Sequence, residues 1–270
     1  MQKPARTLLT LLLVVSSLGC IAGAPDVRSR SVLVWDRAEG RELFARGADQ
    51  AVPIASITKL MTALVVLDAR QPLDERLKVT AQDRIRGRGG ASRIPVGAVL
   101  TRADLLRLAL MSSENLAANV LGRNYPGGKP AFIRAMNARA VQLGMSRSRF
   151  VDPAGLSGSN VASARDVSRL VMAASQHPRI REFSTAERHA VALGKRQLEF
   201  RNTDSLVRDP GWEVVVQKTG FLTEAGKCLA LQARIQGRDV VIVLLNSWGK
   251  YTRVADARRI RKWMESRAGG

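Results

Sequence analysis

The sequence contains very few of the residues that bind metals or build histidine-based catalytic triads. Its 270 residues include only two histidines, His177 and His189, and two cysteines, Cys20 and Cys228. A zinc site has almost no ligands to draw on, and a serine–histidine–aspartate triad would have to recruit one of the two histidines. We expect no metal and no cofactor. His177 should lie at a helix end, His189 in solvent, and Cys228 in the core as a small apolar residue.

Long apolar runs are also scarce. The clearest, Leu8 to Val15, follows Lys3 and Arg6 and precedes small residues that end in Ala24. A charged start, a short apolar core and small residues are typical of a secretory signal peptide, predicted here over residues 1–24. No later stretch reaches the roughly 18 uninterrupted apolar residues that a transmembrane helix needs. We therefore expect an exported, soluble protein.

Cys20 offers an alternative end to the signal peptide, namely cleavage and lipid attachment as in a lipoprotein. The residue three positions earlier is Ser17, where such sites usually carry a large aliphatic residue. We therefore favour ordinary cleavage after Ala22 or Ala24. Removal of Cys20 would leave Cys228 alone and exclude an intramolecular disulfide.

Acidic residues are outnumbered, because 43 Lys and Arg stand against 23 Asp and Glu and give a formal net charge of +20 at pH 7. Such a surplus indicates an anionic partner or surface. The Arg- and Gly-rich segment from Arg84 to Arg93 lacks both the G-x-x-x-x-G-K-[ST] pattern and a preceding strand. We interpret it as a surface loop and expect no nucleic acid partner.

The apolar pattern predicts an α+β fold. Ser31–Trp35 and Arg41–Ala45 flank a turn and predict a β-hairpin, and three more strands are predicted late in the chain, at Trp212–Lys218, Cys228–Ile235 and Val240–Asn246. Helical spacing is found at Ser56–Ala69, Arg102–Leu121, Lys129–Leu143, Ala164–Ser175 and Thr252–Arg267.

We expect the hairpin and the late strands to share one antiparallel sheet with helices on its faces. A helical subdomain of roughly residues 54–175 would then be inserted in a single domain over residues 25–270. Little sequence remains after the last predicted helix, so we expect no second β-domain and no amphipathic anchor behind it.

Ser56 and Lys59 form an S-x-x-K pattern at the start of the helix predicted after Pro53. Residues three apart lie on one helical face, so the hydroxyl and the amine can come within hydrogen-bonding distance. A hydroxyl is a poor nucleophile without a base, and an ammonium becomes a base only when burial or a nearby cation lowers its pKa. Alone, this short pattern is more often a capping serine beside a solvated lysine.

Ser113 and Asn115 form an S-x-N pattern after an apolar helical run. A turn at this point can direct a hydroxyl, which relays a proton, and an amide, which holds a carbonyl, into one cleft. By itself the tripeptide is more typical of a simple helix cap.

Lys218, Thr219 and Gly220 end the strand predicted from Trp212. The cation and the hydroxyl suit a carboxylate, and the glycine allows a peptide backbone to approach closely. The next amide, on Phe221, can donate to an oxyanion. As a lone tripeptide this is equally the polar end of an ordinary strand.

The three patterns occur in a fixed order, 57 positions from Ser56 to Ser113 and 105 from Ser113 to Lys218. This combination resembles the serine DD-peptidase and β-lactamase superfamily. The chain is most similar to the low-molecular-mass penicillin-binding proteins, and among them to D-alanyl-D-alanine endopeptidases of the penicillin-binding protein 7 type. The likeness covers nearly the whole mature chain and rests on Pro53–Met61, Leu110–Asn115, Arg149–Leu156, Phe200–Thr203, Lys218–Phe221 and Glu224–Leu229.

The resemblance implies a catalytic role for three side chains. Ser56 would be the acylated nucleophile, Lys59 its base, and Ser113 the hydroxyl that passes a proton to the leaving amine. It also implies peptidoglycan stem peptides as substrates, β-lactams as acylating inhibitors, and a periplasmic location, with electrostatic attachment to anionic envelope surfaces.

The same resemblance implies the substrate-binding groups. Asn115 would hold the substrate amide, and Lys218 and Thr219 its carboxylate. The backbone amides of Ser56 and Phe221 would form the oxyanion hole, with Gly220 beside them. Lys218 would also hold down the pKa of Lys59 through its like charge.

Several alternatives remain at the level of the sequence. A D-Ala-D-Ala carboxypeptidase shares the fold and the motifs, as does a β-lactamase. Class A β-lactamases need a Glu-x-x-x-Asn loop to activate the deacylating water, and the corresponding segment, Val151–Ser157, contains no Glu. From another class, a catalytically silent cationic envelope-binding protein would require all three patterns to be coincidental.

Overall fold

A computed structural model describes residues 23–84, 92–194 and 196–268. Most of the predicted signal peptide, residues 1–22 with Cys20, and residues 85–91 of the Arg-rich segment lie outside the described part. The strands are β1 (Ser31–Asp36), β2 (Arg41–Arg46), β3 (Val52–Pro53), β4 (Arg76–Lys78), β5 (Val99–Thr101), β6 (Val161–Ala162), β7 (Arg188–Leu193), β8 (Arg196–Arg201), β9 (Glu213–Leu222), β10 (Gly226–Ile235) and β11 (Arg238–Ser247).

The helices are α1 (Thr58–Asp68), α2 (Arg102–Met111), α3 (Asn115–Arg123), α4 (Gly128–Gln142), α5 (Ala164–Ser175), α6 (Pro178–Thr185) and α7 (Thr252–Ala268). Short 3₁₀ turns occupy Ala55–Ile57, Ala81–Asp83 and Ser205–Arg208. Across the ranges that the structure describes, no helix combines the length and the apolar character needed to cross a membrane.

The main sheet is antiparallel and has the strand order β2-β1-β11-β10-β9. The first hairpin joins the three late strands through β1 and β11, where Val34 lies opposite Ile242. This arrangement confirms the predicted α+β architecture. It also makes β9, which carries Lys218, an edge strand beside the helical part of the molecule.

The central strand β11 is apolar on both faces because helices cover both. Its residues from Val240 to Leu245 are fully buried. Val241 and Val243 point toward the helical subdomain, and Ile242 and Leu244 toward α7, as the two-residue period of a strand requires. Each such fully buried side chain contributes about 1.5–3 kcal/mol to the free energy of unfolding.

The predicted helix over residues 102–121 is wrong as a single element, because the structure breaks it into α2 and α3. Ser113 adopts a left-handed φ of +60°, and the Glu114 side chain caps α3 by accepting a hydrogen bond from the Leu116 amide at 3.2 Å. The break places Ser113 in a tight loop at the end of α2.

The β7–β8 hairpin and α6 were not predicted. The hairpin is largely exposed and carries three Arg in its two strands, so it lacks a clear apolar alternation. The prediction that His189 lies in solvent is also wrong: its Nε2 lies 2.8 Å from Asp104 Oδ1 and its Nδ1 3.2 Å from Arg107. These contacts attach the hairpin to α2.

Candidate active site

A cleft of about 480 Å³ lies between the edge strand β9 and the helical subdomain. Its volume is within the range of small-ligand sites. The residues of all three sequence patterns border it or lie directly behind it. The lining residues are Ser56, Ser113, Asn115, Leu156, Thr203, Thr219, Gly220, Phe221, Leu222, Thr223 and Arg253.

Ser56 lies in the 3₁₀ turn before α1, at the floor of the cleft. The preceding residue, Ala55, has a left-handed φ of +48°, a conformation that costs a non-glycine residue about 1–3 kcal/mol. Ser113, across the cleft, also has a left-handed φ, of +60°. Both serines are therefore presented by strained turns, which surrounding packing must hold in place.

Lys59 lies one turn after Ser56 and is fully buried. Its Nζ donates to Ser56 Oγ at 2.7 Å, to Asn115 Oδ1 at 2.8 Å and to the Ala154 carbonyl at 2.6 Å. Burial lowers the pKa of Lys59 to about 7, against the opposing charges of Asp152 and Glu114. The amine is thus buried, close to a hydroxyl and able to lose its proton near neutral pH.

The Ala154 carbonyl is held in position by a turn built around Asp152. This carboxylate accepts hydrogen bonds from the backbone amides of Ala154 at 2.8 Å and Gly155 at 2.6 Å, and from those of Leu156 and Ser157. Gly155 has a φ of +74°, and a Cβ there would lie 2.0 Å from the Ala55 carbonyl oxygen. The turn therefore abuts the strained backbone that precedes Ser56.

Lys218 points from β9 toward the helical subdomain and is also fully buried. Its Nζ donates to the Thr219 carbonyl at 2.9 Å. Burial, followed by the charges of Lys59 and Arg253, lowers the pKa of Lys218 well below its usual value, and Asp204 opposes the shift. We expected the charge of Lys218 to lower the pKa of Lys59. Instead, burial is the main cause of the lowered pKa at both lysines, and the repulsion between the two charges lowers the pKa of Lys218.

Thr219 and Gly220 hold β9 against the 3₁₀ turn that carries Ser56. Thr219 Oγ1 lies 2.6 Å from Thr203 Oγ1, and the Thr203 amide donates to the Met111 carbonyl at 2.9 Å. A Cβ on Gly220 would lie 3.0 Å from the Ile54 carbonyl oxygen and 3.1 Å from the Ser56 amide nitrogen. The close backbone that Gly220 accommodates is thus this chain's own, in the turn that carries Ser56, and not only that of a bound peptide as expected.

Two site features escaped the sequence analysis. Arg253, in the first turn of α7, lines the cleft and donates to the Gly220 carbonyl at 2.8 Å and the Cys228 carbonyl at 3.3 Å. Burial is the main cause that lowers the pKa of Arg253. Nothing in the sequence distinguishes it from the other arginines of that helix. The turn at Asp152 was noticed only as part of the resemblance, without a role.

Cys228, in contrast, takes no part in the chemistry. It is fully buried, and burial raises the pKa of its thiol to about 11. It is the small core residue that was expected.

The chain was compared with known proteins. A sequence model of the peptidase family described as D-alanyl-D-alanine carboxypeptidase matches residues 19–249. A D-alanyl-D-alanine endopeptidase of Pseudomonas aeruginosa is 45% identical over 98% of this chain and 90% of its own length. An enzyme of the same name from Escherichia coli is 44% identical over 91% of this chain and 80% of its own length.

A solved structure supports the same fold. The crystal structure of a Streptomyces DD-transpeptidase superposes with a TM-score of 0.84, covering 89% of this chain and 98% of that one at 24% identity. The resemblance inferred from the three sequence patterns is confirmed. The chain belongs to the peptidase family described as D-alanyl-D-alanine carboxypeptidase.

Proposed function

We propose that this chain is a serine D-alanyl-D-alanine endopeptidase that hydrolyses peptidoglycan cross-links through an acyl-enzyme on Ser56. The observation that carries the proposal is the 2.7 Å contact between Ser56 Oγ and the buried Nζ of Lys59 at the floor of the cleft. The two relatives described above, each named D-alanyl-D-alanine endopeptidase, support the choice of substrate.

Acylation begins with the transfer of the Ser56 hydroxyl proton to neutral Lys59. Because the pKa of Lys59 is about 7, a large fraction of the amine is neutral at neutral pH and can act as the base. Ser56 Oγ attacks the D-alanine carbonyl, and the backbone amides of Ser56 and Phe221 stabilise the oxyanion. Ser113 passes its proton to the leaving amine and takes up the proton of Lys59 in its place, so the C–N bond breaks and Lys59 is neutral again.

Substrate binding uses the opposite wall of the cleft. Asn115, whose Oδ1 accepts from Lys59, presents its amide NH₂ group to a substrate carbonyl. Lys218, Thr219 and Arg253 surround the position of the carboxylate on the leaving-group side. In a cross-link the leaving group is the side-chain amine of a diamino acid, whose own carboxylate occupies this position. Water then hydrolyses the ester, with Lys59 as the base again.

β-Lactams acylate the same serine and inhibit the enzyme. The carboxylate of the loop at Val151–Ser157, Asp152, is committed to four backbone amides. It therefore has no free oxygen lone pairs directed at a deacylating water, and rapid β-lactam hydrolysis is not expected.

The proposed location is the periplasm. Removal of residues 1–24, which contain two cations and no acid, takes the formal charge from +20 to +18. This charge supports an electrostatic attachment to anionic envelope surfaces. Lipid attachment through Cys20 is the less favoured alternative.

The test is covalent labelling followed by product analysis. Incubation with labelled penicillin should place one adduct on Ser56, detected by mass spectrometry. Ser56→Ala should abolish both labelling and cross-link cleavage while the protein stays folded, because loss of a helix-start hydroxyl costs only about 1 kcal/mol. Full activity of that variant would contradict the mechanism.

A digestion experiment distinguishes endopeptidase activity from carboxypeptidase activity, which is the activity in the family's description. Purified cross-linked sacculi and monomeric pentapeptide are digested in parallel. Loss of dimeric muropeptides with intact pentapeptide supports the proposal. Release of D-alanine with untouched cross-links would assign the carboxypeptidase activity instead.

A further inference from the structure

Three of the protein's twelve aromatic residues are exposed: Phe221, which lines the cleft, and Trp248 and Tyr251, which lie between β11 and α7. Phe221 is 60% exposed, Trp248 57% and Tyr251 69%. The other nine are buried or partly buried, which is the usual state of such large apolar side chains. Exposed rings gathered at one place on a soluble domain indicate a binding surface.

The sheet register places these residues side by side. Lys227 of β10 lies opposite Phe221 of β9 and opposite Ser247 of β11. Trp248 follows Ser247 directly and Tyr251 immediately precedes α7, so both lie in the loop that joins β11 to α7. Arg253, in the first turn of α7, donates to the Gly220 carbonyl and holds this loop close to the end of β9.

Two lysines lie over the exposed rings. Lys227 Nζ is 4.9 Å from the centre of the Phe221 ring, and Lys250 Nζ is 5.2 Å from that of Tyr251. The surface therefore combines flat apolar faces with positive charge. We name it the aromatic rim, formed by Phe221, Lys227, Trp248, Lys250 and Tyr251.

We propose that the aromatic rim binds the glycan strand that carries the acyl-donating stem peptide. The inference rests on the proposed function, which sets the direction of the substrate. The carboxylate of the leaving group lies toward Lys218 and Thr219, so the acyl side extends past Phe221 in the opposite direction. Phe221, the member of the rim that lines the cleft, lies on that side.

The distances agree with this occupant. Two strand spacings of about 4.8 Å separate Phe221 from the strand that leads to Trp248, on the order of 10 Å in total. About three extended residues span that distance at roughly 3.4 Å each. The short stem between the scissile D-alanine and the sugar can therefore span from Phe221, which lines the cleft, to the strand that leads to Trp248.

The chemistry agrees as well. Sugar rings present C–H faces that stack on the flat faces of tryptophan and tyrosine, while the polar edges of those rings remain in water. Neighbouring stems along a glycan strand carry carboxylates, which suit Lys227 and Lys250. A polymer of amino sugars with anionic peptides is complementary to both parts of the rim.

The experiment compares two cross-linked substrates of identical peptide structure. One retains its glycan strands, and in the other an amidase has released the cross-linked peptides from the glycan. The test variant is Trp248→Ala with Tyr251→Ala. The matched control is Val141→Ala, an apolar side chain on α4 that is 79% exposed.

The test variant should lose about ten-fold in kcat/KM on the glycan-linked substrate, mainly through KM, as expected for two lost ring contacts. It should cleave the free cross-linked peptides and react with penicillin at the wild-type rate. The control should match wild type on both substrates. An equal loss on both substrates, or no loss on the glycan-linked one, would overturn the proposal.

A binding measurement keeps the inference separate from the proposed function. Glycan strands stripped of peptide should quench the fluorescence of the protein and co-sediment with it, and the double variant should lose both effects. If the wild type cleaves neither substrate, the proposed activity fails, while this measurement still decides the role of the rim. Self-association of the wild type that the variant abolishes, without glycan binding, would assign the rim to a second copy instead.

Discussion

In the proposed mechanism, acylation depends on the proton of one buried residue, Lys59. Lys59→Arg should lose penicillin acylation nearly as completely as Lys59→Ala, because a guanidinium keeps its proton at any usable pH and cannot accept the one from Ser56. The second-order acylation rate, followed by mass spectrometry, measures this. Far-ultraviolet circular dichroism and thermal unfolding serve as the folding controls. Acylation retained in the arginine variant would show that the base is another group.

The same residue predicts the pH dependence of acylation. Burial lowers the pKa of Lys59 to about 7, and in the proposed mechanism only the neutral amine accepts the Ser56 proton. The acylation rate should therefore rise about ten-fold per pH unit below pH 7 and level off above it. Rates of penicillin acylation between pH 5 and 9 test this, and a flat profile through neutrality would contradict it.

At the scale of elements, the turn around Asp152 links the backbone before Ser56, the proposed nucleophile, to Lys59, the proposed base. Gly155→Ala introduces a Cβ 2.0 Å from the Ala55 carbonyl oxygen at a φ of +74°. We expect a loss of at least about 3 kcal/mol in the free energy of unfolding and slower acylation, because the turn also directs the Ala154 carbonyl to Lys59.

Gly40→Ala is the matched control for that prediction. Gly40 has a similar φ of +62°, and its Cβ would meet nothing within 4 Å. Gly40→Ala should lower the free energy of unfolding by only about 1–2 kcal/mol, the cost of a left-handed backbone for a residue with a Cβ. It should leave the acylation rate unchanged. Denaturant unfolding and acylation rates of the two variants give the comparison. Equal effects at both positions would show that the close contact at Gly155 is unimportant.

The elements also show what the sequence can predict. The hairpin, the late strands and α1 follow from apolar periodicity, because each buries a continuous apolar face. The break between α2 and α3 does not, since the left-handed backbone of Ser113 depends on the packing around the cleft. The β7–β8 hairpin depends on long-range polar contacts such as His189 with Asp104. The contact of Arg253 with β9 and β10 could not be predicted either. It depends on the strand register, which places the Gly220 and Cys228 carbonyl groups side by side within reach of the guanidinium.

At the scale of the whole molecule, the excess positive charge predicts salt-sensitive attachment. Protein bound to envelope fractions should be released as salt rises, because the Debye length falls from about 10 Å at 0.1 M to about 3 Å at 1 M. Sedimentation of envelope fractions at increasing salt, with immunodetection, measures the release. Retention at 1 M salt with release by detergent would indicate a lipid anchor at Cys20 instead.

The pairing of β1 with β11 also determines when the protein can fold. Ser31 lies opposite Leu245, so the buried face of β1 has no neighbour on that side until the ribosome has synthesised nearly the whole chain. Closing a loop of this length makes the central pairing a late and slow step. The main sheet therefore cannot close before its last strands have been synthesised. Ser56 meets Lys218 only after the last strands have arrived, so the enzyme becomes active only at the end of this process.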